Sequence, residues 1–415
     1  MVRARRARVL VALALAASCV RLPGREARAD AVTDWNVVAL NATAVPPNTV
    51  LQSRTLAIVH AAIYDAVRAV DRKAPAYAVD LEAPRGADVD AAVAAAAHGV
   101  LVRLVPVQRP VLDDALDATL AKIARGSGKA DGVSVGAQVA ERLVALRDSD
   151  GADLKVVFAP RPGPGLYQLT PQSGPAILAQ WGNVRPFVLR TMTGLELEGP
   201  PAATSAEFAR DFEEVKSVGA RNSTTRTADQ TAAAAFWLVQ TAVPWHAAAR
   251  AASAAKGLSV AENARLFALL SLATADSQIV AFHDKYAHPH WRPITAIRAA
   301  ADLDIPTLKG DRLWEPLLVT PPHPDYPSAH ATFSGAAEVV LRTFFGGDDV
   351  DVSVTYPAPL GITRTYKTFS AITAEVDDAR VWGGIHFRSA DHDGSELGRL
   401  IGAVVMRGFP RPVTD

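Results

Sequence analysis

Residues 54–70 read RTLAIVHAAIYDAVRAV, and the period of this stretch decides the fold class. Leu56, Ile58, Val59, Ala62, Ile63, Ala66, Val67 and Val70 recur three and four residues apart, the spacing that lines one broad face of a helix. Residues 91–104, 111–124 and 133–146 repeat the pattern, so an N-terminal helical bundle is expected over 30–157. Residues 158–204 lose the period, are rich in Pro and Gly and hold Trp181; they read as a long irregular crossover packed down by its aromatics. Helices are expected again near 205–218, 227–242, 246–256, 260–284, 293–302, 329–345, 367–382 and 393–407. Two of them open with capping-box spacing, at Thr227-x-x-Gln230 and Ser259-x-x-Glu262. The reading is an all-α chain of two helical bundles, the second over 205–415.

Towards the N-terminus, Arg3, Arg5, Arg6 and Arg8 precede the apolar run Val9 to Val20, and Ala27-Arg28-Ala29 before Asp30 fits a small-x-small cleavage site. Residues 1–29 therefore read as a signal peptide, which implies a secreted or periplasmic protein without a membrane span in its mature form. The single cysteine, Cys19, would be lost with it. Ala16-Ala17-Ser18-Cys19 is a loose lipobox and Arg5-Arg6 a loose twin-arginine pair, two lesser readings of the same segment. The 415 residues are 49% hydrophobic, enough to fill a large core, and 43 basic residues balance 43 acidic ones. That balance argues against nucleic acid or an anionic membrane as partner, so any bound anion has to be held by a local cluster.

Such a cluster is legible in the second half, where seven of the ten histidines fall between His283 and His392. Three constellations stand out there. Lys285 closes one helix and Arg292 precedes Pro293, a favoured first helical residue, so two cations meet at a helix-turn-helix corner and suit an oxyanion. Pro324-Asp325-Tyr326-Pro327-Ser328-Ala329-His330 then places Ser328 as an N-cap before the helical run to Phe345. The free N–H groups of such an end bind anions, and His330 in its first turn faces the same anion. In the third, Arg380 rides a helix that stops at Gly383-Gly384 and delivers His386 in the following loop, as nucleophile or metal ligand.

As an ordered set, Lys285-x6-Arg292-Pro293, Pro327-Ser328-Ala329-His330 and Arg380-x5-His386 resembles the tripartite signature of the vanadium haloperoxidases and type 2 phosphatidic acid phosphatases. Residues 60–70, 276–298 and 320–335 extend the likeness to the secreted bacterial haloperoxidase-like subgroup. The resemblance implies two four-helix bundles with the active site in the C-terminal one. The chain departs from the pattern at three places: Ala329 stands for Gly, Ala379 for Ser, and Ala390 for Asp, with Asp391 one position late. The last two put the orientation of His386 at issue.

By resemblance, vanadate is the cofactor, bound through His386 and caged by Lys285, Arg292, Arg380, Ser328 and the Ala329 N–H. His330 exchanges protons with the bound species, Lys285 polarises peroxide, and hydrogen peroxide with halide or a small organic molecule are the substrates. The activity implied is halide oxidation; a homo-oligomer is compatible with it. Phosphate fits the same cage, so a histidine-nucleophile acid phosphatase is the alternative, and a non-catalytic oxyanion-binding protein the second. His323, seven residues before His330, matches a second histidine that bromoperoxidase-like relatives carry near the halide and tilts the reading to peroxidase.

Three further expectations concern the surroundings. Asp276 shares a helix face with Leu269, Ala273 and Val280 and is expected to be buried, orienting one of the arginines. His288, His290 and Trp291 are expected at the pocket rim. A divalent-metal site built from His283, His288 and His290 lacks supporting carboxylate spacing.

Overall fold

A computed structural model of the chain describes residues 30–410, apart from 45–47, 172–173, 240, 304, 306 and 357–359. The signal-peptide reading, with Cys19, lies outside the described residues. The architecture is all-α. Among the described residues the helices are α1 (Ala31–Ala42), α2 (Thr49–Asp71), α3 (Val89–Leu104), α4 (Arg109–Ala121), α5 (Ser127–Arg147), α6 (Ala206–Val218) and α7 (Ala228–Val239), followed by α8 (Ala242–Lys256), α9 (Val260–Ala287), α10 (Pro293–Ala299), α11 (Ala329–Phe345), α12 (Phe369–Trp382) and α13 (Arg388–Gly408). One antiparallel hairpin, β1 (Asp349–Thr355) and β2 (Thr363–Thr368), sits between α11 and α12.

The helices start where the sequence places their caps. Thr227 and Gln230 exchange backbone-to-side-chain hydrogen bonds at the head of α7, and Ser259 with Glu262 does the same at α9. Two elements were not expected. Helix α1 begins on its own capping box, Asp30 with Thr33, directly beyond the expected cleavage point. The hairpin reads DVDVSVT in β1, where Val350, Val352 and Val354 alternate inward with period two.

Helices α2, α3 and α5 pack on one another, α9 packs against both α2 and α11, and α11 lies along α13. One hydrophobic cluster runs through all of them, from Ala31 to Phe409. The α11–α13 seam is close because glycines line it: a Cβ on Gly335 or Gly398 would meet a backbone carbonyl oxygen of the other helix at 2.1 Å. This approach sets the ends of the second and third motifs side by side. Helix α9 is long and apolar enough to cross a membrane by length and composition, yet it is buried as the central helix of the fold.

Asp276 on α9 is buried as expected, but it orients no active-site arginine. Its carboxylate accepts the backbone N–H groups of Phe187, Val188 and Leu189 at 2.6, 2.9 and 3.0 Å, which clasps the crossover to the central helix. Asp65 on α2 makes the same clasp with the N–H groups of Tyr77, Ala78 and Val79. Burial lifts both carboxyls to about 6 against the pull of those N–H donors.

Candidate active site

The three motifs meet where the α9–α10 corner, the loop into α11 and the α12–α13 loop converge. Arg292 is the N-cap of α10, with Pro293 at its first position, and is wholly buried. Its guanidinium donates to His323 O (2.9 Å), Ile385 O (2.6 Å), His323 Nδ1 (3.0 Å) and His386 Nε2 (3.0 Å). One side chain thus ties the second and third motifs to the first. The backbone repeats the tie, through Asp325 N–H to His290 O (3.0 Å) and Ser328 N–H to Ala390 O (2.8 Å). The crossover closes over this corner, with Trp291 N–H donating to Gly165 O and Tyr167 N–H to Pro289 O.

Lys285, also wholly buried, donates to the carbonyl oxygens of Pro324 (3.0 Å), Asp325 (2.8 Å) and Pro327. Burial and Arg292 push its pKa down, but three carbonyl acceptors engage all three N–H bonds of an ammonium and keep it charged. It braces the loop that presents Ser328, with no donor left over for an incoming ligand. Arg380, 1% exposed, donates from Nη1 to Trp237 O at 3.1 Å while its Nε is buried without a partner.

Ser328 occupies the N-cap of α11, yet its hydroxyl does not cap the helix: Oγ is buried without a hydrogen bond, facing the Asp391 carboxyl. The first-turn N–H groups, Ala329's among them, have no intrahelical acceptor and are available to a ligand at this helix end. Gln278 on α9 donates to Ala329 O (2.9 Å) and fixes this turn from behind. His330 follows, its Nε2 buried and unpartnered. The Gly pair works as read, with Gly384 at φ +74° turning the chain so that His386 enters the site.

Electrostatically the groups form one unit. Burial, then Arg380 and His386, hold His330 far below the usual imidazole range; burial, then Arg292, do the same for His386, and burial with Arg292 and Lys285 for His323. All three imidazoles are neutral at neutral pH. Asp325, wholly buried, is the ionised member: burial alone would raise its pKa, but His386, His290 and Arg292 drive it far below the carboxylate range. Asp391, equally buried, is pushed well up by burial and by Asp377. Three cations therefore face one ionised carboxylate; Ser328 Oγ, His330 Nε2 and Arg380 Nε stand unpartnered among them, and the carboxyl oxygens of Asp325 and Asp391 likewise lack a regular hydrogen bond. A site with that excess of positive charge and spare polar atoms accommodates a small oxyanion such as vanadate or phosphate.

The structure brings together Lys285, Arg292, His323, Ser328, Ala329, His330, Arg380 and His386. It does not put His290 and Trp291 at a rim: both are buried, Trp291 stacked on Phe208 beneath the site, and only His288 is partly exposed. The open side is marked by His323 and His330, the partly exposed members of the set. Among the described residues no group of three or more His, Cys, Asp or Glu is placed to hold a metal ion by itself. Two carboxylates were missed by sequence reasoning. Asp325 lay inside the quoted motif, but its partner His386 lies far along the chain; Asp391 was noted only as misplaced.

Residues 265–414 match the family described as the VCPO second helical-bundle domain. The chain is 29% identical over 139 residues to the vanadium chloroperoxidase of Curvularia inaequalis, a match over 28% of this chain and 22% of that protein, so it spans about a fifth of that relative's length. The family model lies over the residues that form the site, so this part of the chain is similar to the second helical bundle of the vanadium haloperoxidases. The fold of the chain is that of bacterial vanadium haloperoxidases. A bacterial vanadium-dependent iodoperoxidase superposes with a TM-score of 0.78 at 24% identity, covering 92% of this chain and 98% of that one. The apo form of a bacterial vanadium-dependent chloroperoxidase superposes with a TM-score of 0.71 at 18% identity, covering 87% and 93%.

Proposed function

We propose that the protein is a vanadate-dependent haloperoxidase, exported by its first 29 residues, whose site lies in the C-terminal bundle 205–415. The observation that carries this is the buried cation excess around unpartnered polar atoms that include Ser328 Oγ, His330 Nε2 and Arg380 Nε. The net reaction consumes hydrogen peroxide, one halide ion and one proton. The peroxide O–O bond breaks, halide loses two electrons, and hypohalous acid and water leave.

Bound vanadate would supply a Lewis-acidic centre that makes peroxide electrophilic towards halide. Arg292, Arg380, Ser328 and the Ala329 N–H would hold it, with His386 Nε2 as its protein ligand. Lys285 keeps the presenting loop in place and adds positive charge from behind. His330, neutral and with Nε2 free, takes a proton from incoming peroxide and returns it to the departing oxygen. His323, partly exposed and tied to Arg292, stands on the halide side.

The test is to load the purified protein with vanadate and follow bromination of a phenol dye by peroxide. Bromination that is lost in His386→Ala supports the proposal. No halogenation, with phosphomonoester hydrolysis that His386→Ala abolishes, would replace it by the acid phosphatase reading. Vanadate binding that depends on Arg292 without either activity would leave a binding protein.

A further inference from the structure

The third motif leaves a gap that the fold fills from another loop. Four residues after His386, where the resemblance places Asp, this chain has Ala390, and Asp391 lies against Ser328 and Arg380 instead. The carboxylate beside the His386 ring comes from the second motif, with Asp325 Oδ1 2.9 Å from Nδ1. We propose that Asp325 is the positioning residue of His386: it fixes the ring proton on Nδ1 and so leaves the Nε2 lone pair to meet the oxyanion. The inference rests on the oxyanion-site reading above.

Two contacts of the ring bear on its tautomer, and the carboxylate decides it. Nδ1 faces an ionised carboxylate, and a lone pair there would oppose oxygen lone pairs at 2.9 Å, so Nδ1 carries the proton. Arg292 Nη1, which only donates, lies 3.0 Å from Nε2 and 3.4 Å from Nδ1, nearer the nitrogen that keeps the lone pair. A carboxylate behind a ligating or nucleophilic imidazole orients the ring and raises its basicity.

Asp325 is itself held so that it can do this. Its N–H donates to His290 O at 3.0 Å and its carbonyl accepts from Lys285 Nζ at 2.8 Å. The carboxylate is wholly buried, with Arg292 Nη1 3.6 Å from Oδ1 and His290 Nδ1 3.8 Å from Oδ2. The loop that Lys285 braces thus presents the anion-binding end of α11 on one side and aims His386 on the other. Sequence position has changed while the chemical arrangement is kept.

The experiment reads the tautomer directly, by 15N NMR of histidine-labelled apo-protein, with His386 assigned from the His386→Gln spectrum. The wild type is expected to show the Nδ1–H form, and an Nε2–H signal overturns the proposal without any variant. In Asp325→Asn the amide can donate to Nδ1, and the His386 signals are expected to move to the Nε2–H form, whereas Asp391→Asn leaves them in place. A shift in the latter, or none in the former, also overturns it. Vanadate affinity, measured by equilibrium dialysis, is expected to fall roughly ten- to a hundredfold in Asp325→Asn, with partial recovery in Asp325→Glu. If the protein binds no vanadate, the function proposed above fails while the tautomer result still decides the role of Asp325.

Discussion

The molecule contains two buried histidine clusters, and only one of them is built as a site. At the junction of α1, α2, α8 and α9, Asn36 donates its amide hydrogens to His60 Nε2 (2.9 Å) and His246 Nδ1 (2.7 Å) and accepts from Arg250. Both rings are wholly buried and stack with Phe267. In the C-terminal half, burial and neighbouring cations lower the pKa of His386, His330 and His323 as well, yet they stand among three cations and a carboxylate with one side open. Depressed imidazoles therefore do not mark function here. A neutral amide that joins two rings in a sealed core, each ring keeping one buried nitrogen without a partner, marks structure; an uncompensated positive field beside a partly exposed imidazole marks a site.

Arg292→Ala attacks the functional cluster hardest. It removes the guanidinium that joins all three motifs and leaves Asp325 with a buried charge, at a cost of about 3–5 kcal/mol. Vanadate binding by equilibrium dialysis is expected to be lost, and Arg292→Lys not to restore it, because an ammonium cannot reach His323, Ile385 and His386 together. Asn36→Ala makes the opposite cut. Two imidazoles and Arg250 lose their shared partner, and urea unfolding is expected to show about 2–4 kcal/mol less stability. Bromide oxidation at saturating vanadate should be unchanged in the folded fraction. A matching fall in turnover would break the distinction between the clusters.

The parts of the site that are local were legible in sequence: a cation before a helix-starting Pro293, a Ser328 at a helix start, a Gly pair before His386. What escaped was every long-range partner. Lys285 reads as a free ammonium until the carbonyls of residues 324, 325 and 327 arrive around it, and Asp276 reads as a buried carboxylate whose donors can be named only once the crossover is seen folded back. Asp325 was in view and had no visible role for the same reason. The hairpin is different. The alternation of β1 is plain in DVDVSVT, and it was overlooked because the surrounding chain is helical.

Acid should separate the clusters from the carboxylate clasps by sign. Burial and Arg250 depress His60 to about 3, against about 6.5 in an unfolded chain. Between these values the unfolded chain takes up a proton that the folded one refuses, so this contribution to stability falls with pH, by about 1.4 kcal/mol per pH unit. Asp65 and Asp276, raised to about 6, and Asp377, raised by burial to about 7, work the other way: the folded chain protonates first and gains stability as pH drops towards 4. The net profile is flattened, so the informative quantity is the difference between wild type and His60→Gln. The variant is expected to lack about 1.4 kcal/mol per pH unit of acid-side slope below pH 6.5. An unchanged slope would mean that the sealed cluster admits a proton.

Ser328→Ala should have the smallest effect on stability and is the sharpest test of what its helix end is for. Replacing a serine that caps a helix ordinarily costs about 0.5–2 kcal/mol. Here Oγ makes no bond to the first turn of α11, and the turn is held by Gln278, Lys285 and the Ser328 N–H to Ala390 O. Thermal unfolding is therefore expected to move by less than about 0.5 kcal/mol equivalent, below the range for a working cap. Oxyanion affinity should nevertheless weaken by about tenfold, the value of one hydrogen bond to a charged group. A stability loss in the ordinary capping range with affinity intact would make Ser328 a structural cap, and the likeness of this helix end to that of α9, where Ser259 does cap, would then be real rather than superficial.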